Sequence, residues 1–221
     1  MATSGSRDFE LDVADIIEEA YERCGIEVRT GYDAKTARRS LNLMFAEWAN
    51  RGLNLWTIQQ ATLTLTKGQA QETLTPDVVD LLEVVLRRNG TDFELSRVSR
   101  GEYLTIPNKT TEARPSQYYF DRKIDPVINL WATPENSTDQ IVYYYVRRIE
   151  DADTLTNTTD MPFRFYPCMV AGLAYYLAMK RAPDRIQLLK SVYEEEFQRA
   201  SDEDEDRTPL KLQPSIQYLR V

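Results

Sequence analysis

The chain is 221 residues long and contains no histidine. Ser-His-Asp and Cys-His catalysis within the chain, and metal ligation by imidazole, are therefore excluded. Cysteine is nearly absent. Cys24 and Cys168 cannot build a four-cysteine metal site or a disulfide framework. Both fall in helical patterns, and with no imidazole to generate a thiolate they read as small buried apolar groups. Eight glycines and ten prolines are too few for a fibrous or largely disordered protein. Neither Gly-x-Gly-x-x-Gly nor the P-loop string occurs, so no phosphate-cradling loop is expected. No apolar run approaches the ~20 residues of a membrane span. Residues 1–8 are polar and lack the apolar stretch of a secretory signal. These absences lead us to expect a protein made in a reducing cytosol, with no membrane association, no cofactor and no metal.

Positive charge is also short. Acids number 35 against 27 bases. The imbalance is local: Glu194, Glu195, Glu196, Asp202, Glu203, Asp204, Glu205 and Asp206 account for it, and the rest of the chain is formally neutral. A strongly basic nucleic-acid binder does not fit, because phosphate binding needs concentrated positive charge. Four Asn-x-Ser/Thr triplets, at Asn89, Asn108, Asn136 and Asn157, read as turns rather than glycan sites.

Periodicity supplies the architecture. Val13, Ile16, Ile17, Ala20 and Cys24 form the apolar stripe of a helix over 9–25, with Asp12 and Asp15 at its positive end and Gly25 as its stop. Ala34, Ala37, Leu41, Met44, Phe45 and Trp48 form a second stripe over 33–51, closed by Gly52. The short link predicts an antiparallel pair. Ala61, Leu63 and Leu65 then alternate with threonines, as in a half-buried strand. The apolar run 78–86 suits a helix or a buried strand. A turn at Pro76-Asp77 followed by a strand over the second half is favoured, because Asn89-Gly90 is a strong hairpin signal. Ser99 and Glu102 have capping-box spacing for a short helix ending before Pro107. Residues 117–122, 127–132 and 140–148 read as strands rich in Tyr, Val, Ile and Trp.

The helical period returns at Asp160, a candidate N-cap, although Pro167 shifts the true start or bends the helix. Val170, Ala171, Ala174, Leu177 and Ala178 give a small-residue stripe. A last helix follows Pro183-Asp184 and turns Ile186, Leu189, Tyr193, Phe197 and Ala200 inward. The expected fold is α+β. A four-helix bundle is formed by 9–53 and 159–205, an antiparallel β-rich module is inserted at 54–158, and an extended C-terminal tail occupies 206–221.

Without histidine, carboxylate pairs are the main catalytic option. Glu18 and Glu22, or Glu47, are candidates for a carboxylate-dependent hydrolase of cell-wall glycan, but they occupy what reads as a solvated helix face. Asp12 with Asp15, or Asp202 with Asp204 and Asp206, offer oxygens to a cation. The second set lacks the glycine turn and closing Glu of an EF-hand and reads as solvated acids. The pairs Arg38-Arg39, Arg87-Arg88 and Arg147-Arg148 suit interface ion pairs or ordinary solubility. A strand cannot bury all of Tyr143, Tyr144 and Tyr145 on one face, so one is expected outside. Leu210, Leu212, Ile216, Tyr218, Leu219 and Val221 make the tail apolar and are the candidate partner-binding residues.

The opening helix, Asp12 to Gly25, and the segment from Ala37 through Glu47-Trp48-Ala49-Asn50-Arg51-Gly52 to Leu53-Asn54-Leu55-Trp56 resemble the head-to-tail adaptor (connector) proteins of short-tailed bacteriophages, the tail tubular protein A-like or portal-accessory family. The β-module, the helix over 163–181, the last helix and the C-terminal extension follow in the family's order. The resemblance implies a structural virion protein made in the bacterial host cytoplasm. It implies a twelve-fold ring in the neck, joining portal to tail nozzle or tube, with genomic DNA passing through without sequence-specific binding. No family active site carries over. A different neck or tail-completion protein, and a monomeric binding module, are the other readings.

Overall fold

The computed structural model describes residues 5, 9–28, 31–52 and 55–205. The helices are α1 (Val13–Cys24), α2 (Gly31–Trp48), α3 (Arg100–Thr105), α4 (Tyr166–Arg181) and α5 (Ile186–Glu203). The strands are β1 (Ile58–Thr64), β2 (Gln71–Thr73), β3 (Val78–Arg88), β4 (Thr91–Glu94), β5 (Ser96–Arg97), β6 (Glu112–Ala113), β7 (Gln117–Asp121), β8 (Val127–Trp131), β9 (Thr133–Pro134) and β10 (Gln140–Arg147). The class is α+β with sheets that are mostly antiparallel.

Local chemistry explains the helix ends. The Asp12 carboxylate accepts the Asp15 N–H at 2.8 Å while Asp15 reaches back to the Asp12 N–H, closing a capping box. Gly25 ends α1 in the left-handed region (φ 71°), and a Cβ there would meet the Arg185 guanidinium at 2.8 Å. Ser99 and Glu102 form the second box, at the start of α3. The N-cap expected at Asp160 is a correction. A 3-10 turn over Phe163–Phe165 intervenes, and α4 starts at Tyr166 with Pro167 in its first turn, where a missing N–H costs nothing.

The long helices pack around α4. Its buried side chains include Cys168, Met169, Val170, Ala171, Leu173, Ala174 and Leu177, which cover most of its circumference. A helix apolar nearly all round must be enclosed. Asp33 pairs with Arg181 at the end of α4, and the Trp48 ring lies 5.8 Å from Phe165 before its start, so α2 runs against α4. Phe9 stacks on Phe163, and the Cys24 thiol donates to the Ala174 carbonyl, so α1 runs with α4. Hence α1 and α2 are antiparallel, as their short link predicts. Tyr193 stacks on Tyr175 and Asp204 pairs with Arg164, which returns α5 to the start of α4. Gly172 lets them approach: a Cβ there would lie 2.8 Å from Tyr193 Cε2.

Sheet order is β1-β10-β3-β4 in one sheet and β2-β8-β7-β5 in the other, over a shared core that includes Leu81, Leu86, Tyr118, Ile128, Leu130 and Ile141. Two short pairings, β5 with β7 and β6 with β9, are parallel rather than antiparallel. The β3–β4 hairpin turns at Asn89 (φ 51°) and Gly90 (φ 78°), the two positive φ angles of a type I′ turn. The whole of 78–88 is strand, not only its second half. Register shifts against β10 mark β-bulges, so its buried residues are Val78, Leu81, Val84 and Leu86. That spacing imitates a helical stripe.

Candidate assembly surfaces

Of the catalytic candidates, Glu18 and Glu22 share a groove on α1, described below, and Glu47 is engaged elsewhere. Glu47 accepts the Tyr193 hydroxyl at 2.9 Å and pairs with Arg51, which also binds Glu194. The same hydroxyl accepts the Trp48 indole N–H at 2.7 Å. Burial disfavours the Arg51 charge, yet bonds to Glu194 and Glu47 outweigh it and raise its pKa. Glu47 is thus one link in a structural network between α2 and α5. Burial pushes the Glu72 carboxyl upward, but its partner is the Gln69 amide, not a second acid. Burial also pushes the Cys24 and Cys168 thiols upward, Cys168 far more, which disfavours the thiolate. Among the described residues, no group of three or more Cys, Asp or Glu is placed to hold a metal ion. No described helix is long and apolar enough to cross a membrane.

Asp204 corrects the reading of the last acids as solvated. It is buried, pairs with Arg164 and accepts the Leu55 N–H at 2.9 Å. Asp160 is half-buried, binds Arg147 at 2.7 Å and accepts the Glu150 N–H. Arginines expected at interfaces are largely used within the chain. Arg88 grips buried Asp139 at 2.5–3.0 Å and also meets Glu135, while Arg87 forks onto Asp92 at 2.7 and 2.8 Å. The Asn136 side chain accepts the Thr138 and Asp139 N–H groups, and Asn108 accepts that of Thr110, so these triplets are turns. Tyr144 is 43% exposed between buried Tyr143 and Tyr145. The tail candidates Leu210, Leu212, Ile216, Tyr218, Leu219 and Val221 lie outside the described residues.

Two surfaces on the helices combine exposed large side chains with charges of one predominant sign. The first is a groove of about 830 Å³ between α1 and the start of α4. Phe9 and Phe163, 69% and 63% exposed, stack in its wall at 5.6 Å, with Leu11, Tyr166 and Val170 beside them. Five carboxylates, Glu10, Asp15, Glu18, Glu19 and Glu22, line it against one cation, Arg23, which pairs with Glu19. The second, about 530 Å³, lies on the first half of α2 and is lined by Tyr32, Lys35, Thr36, Arg38, Arg39, Asn42 and Leu43, with no acid among them. Tyr32 is 69% and Leu43 58% exposed. Arg38 reaches the Asp153 carbonyl. Nearby, the Lys180 pKa is lowered by burial and then by the charges of Arg39 and Arg181. Sequence reading noted Glu18, Glu22 and Arg38-Arg39 but not their grouping. The available signal was large apolar residues, Tyr32 and Leu43, off the buried stripe.

The chain matches the SU10 adaptor protein family over residues 11–213. It belongs to that family. The match runs from the start of α1 through both cores and beyond α5, so the family is shared by the whole arrangement. SU10 adaptor proteins are a phage head-to-tail adaptor family, which gives this chain a structural virion role and agrees with the resemblance carried by α1 and α2. A comparison with curated proteins found no match.

Proposed function

We propose that this adaptor chain is one subunit of a ring in the virion neck that joins the portal to the tail nozzle or tube and lets genomic DNA pass. The observation that carries the reading is the family match across 11–213. These two helical surfaces support it, since a closed ring needs two different patches on every copy. In this reading, 9–53 and 159–205 act as one four-helix bundle, 54–158 as a β-rich insert, and 206–221 as a tail that binds a neighbour through Leu210, Leu212, Ile216, Tyr218, Leu219 and Val221. The ring number, twelve, rests on the resemblance. The lumen is not arginine-rich, because each neutralised phosphate adds binding that would hinder ejection.

Electron microscopy of the full chain mixed with the portal encoded beside it tests this. The expected result is a ring seated on the portal with a lumen that is not positive. Isolated subunits that never decorate portals, or a strongly electropositive lumen, would contradict it.

A further inference from the structure

We propose that the acidic aromatic groove on α1 and α4 of one copy receives the basic face of α2 from the next copy, forming the copy-to-copy contact of the ring. This rests on the ring reading above and names the two surfaces it leaves open.

Three features carry the inference. The surfaces are opposite in charge: Glu10, Glu18 and Glu22 face outward on one, Lys35 and Arg39 on the other, and none of the five enters an ion pair within the described residues. Each also carries large apolar side chains. Phe9 and Phe163 on one, Tyr32 and Leu43 on the other, are large side chains left in water, and aromatic anchors inside a charged rim are how stable interfaces are built. Finally, they are separate patches with no lining residue in common: the groove runs along α1 and the start of α4, and the basic face lies on α2. One copy can therefore give its α2 face to one neighbour while receiving the other neighbour in its groove, the arrangement of a heterologous contact.

The test is charge reversal in the full chain, read by ring formation on the portal and by sedimentation. Glu10→Lys with Glu18→Lys and Glu22→Lys takes the groove lining from a net charge of −4 to +2, so both surfaces are basic. Lys35→Glu with Arg39→Glu takes the α2 face from +3 to −1, so both are acidic. Either set alone should weaken copy-to-copy association about tenfold or more, since like charges face each other. Mixing the two variants, or placing all five changes in one chain, should restore it. Unchanged circular dichroism and melting show that each variant folds. A cross-link between Leu43→Cys on one population and Phe163→Cys on another should form in the ring. Rings that form normally with either reversal, or reversals that mixing does not rescue, overturn the proposal while the ring reading stands. A cross-link from Phe163→Cys to Leu212→Cys in place of Leu43→Cys also overturns it, because the basic tail (Arg207, Lys211, Arg220) then fills the groove. Absence of any wild-type ring overturns both.

Discussion

The arginines around the sheets and the charges on the outer faces of α1 and α2 are used in opposite ways. Around the sheets, arginines close internal pairs: Arg88 with Asp139, Arg87 with Asp92, Arg97 with Asp80, Arg147 with Asp160. On the outer faces of α1 and α2, Glu18, Glu22, Lys35 and Arg39 stand without such partners among the described residues, beside exposed Phe9, Phe163, Tyr32 and Leu43. The helices have spent only their inner faces on the fold. Within the helices Arg51, Arg164 and Arg181 close internal pairs as well, so the contrast lies between those arginines and the outer faces of α1 and α2.

That contrast can be broken by measurement. The largest effect is expected from Asp139→Ala. It leaves the Arg88 guanidinium, a quarter exposed, with Glu135 alone. Loss of a buried pair's partner should cost about 2–3 kcal/mol of unfolding free energy, below the full penalty because Arg88 is partly hydrated. Denaturant titration reads it directly. Gly172→Ala follows, at about 1–3 kcal/mol, because the new methyl overpacks the Met44 and Tyr193 contact. It shows that the helical core is as tight as the sheet core and differs only in its outer faces.

Glu72→Gln sharpens the electrostatic side. Burial raises the folded-state pKa of Glu72, and its Oε1 is buried without a partner. A raised carboxyl pKa favours folding most at low pH, and that contribution is lost as pH rises through the folded value. The substitution should therefore raise the melting temperature at pH 7 and lose this advantage as pH falls toward the ordinary carboxylate range. An equal gain at both pH values would show that burial of charge is not the cause. The smallest effect is expected from Arg39→Ala, within about 0.5 kcal/mol of wild type. If Arg39→Ala cost as much as Asp139→Ala, the contrast between the two regions would fail.

Much of the fold was legible because its signals are local. The Ser99 capping box, the acids at the start of α1, the Gly25 stop, the Asn89-Gly90 hairpin and the exposed Tyr144 all follow from a few adjacent residues. The misreadings have non-local causes. Bulges in β3 arise from its pairing with β10 and replace a two-residue period with one that looks helical. Asp160 resembles an N-cap by position, but Arg147 on β10 takes its carboxylate. Asp204 sits in a run of acids, yet Arg164, forty residues away in sequence, makes it internal. The assembly surfaces were half legible. Each charge was visible on its helix, but grouping them required the packing of α1 and α2 on α4.

Sedimentation of the full chain with the portal, across a range of salt concentrations, tests the central claim most directly. The account predicts a complex carrying many copies of the chain, whose copy number falls as salt rises. A chain that remains single at every concentration, with portal present and at low salt, would contradict it.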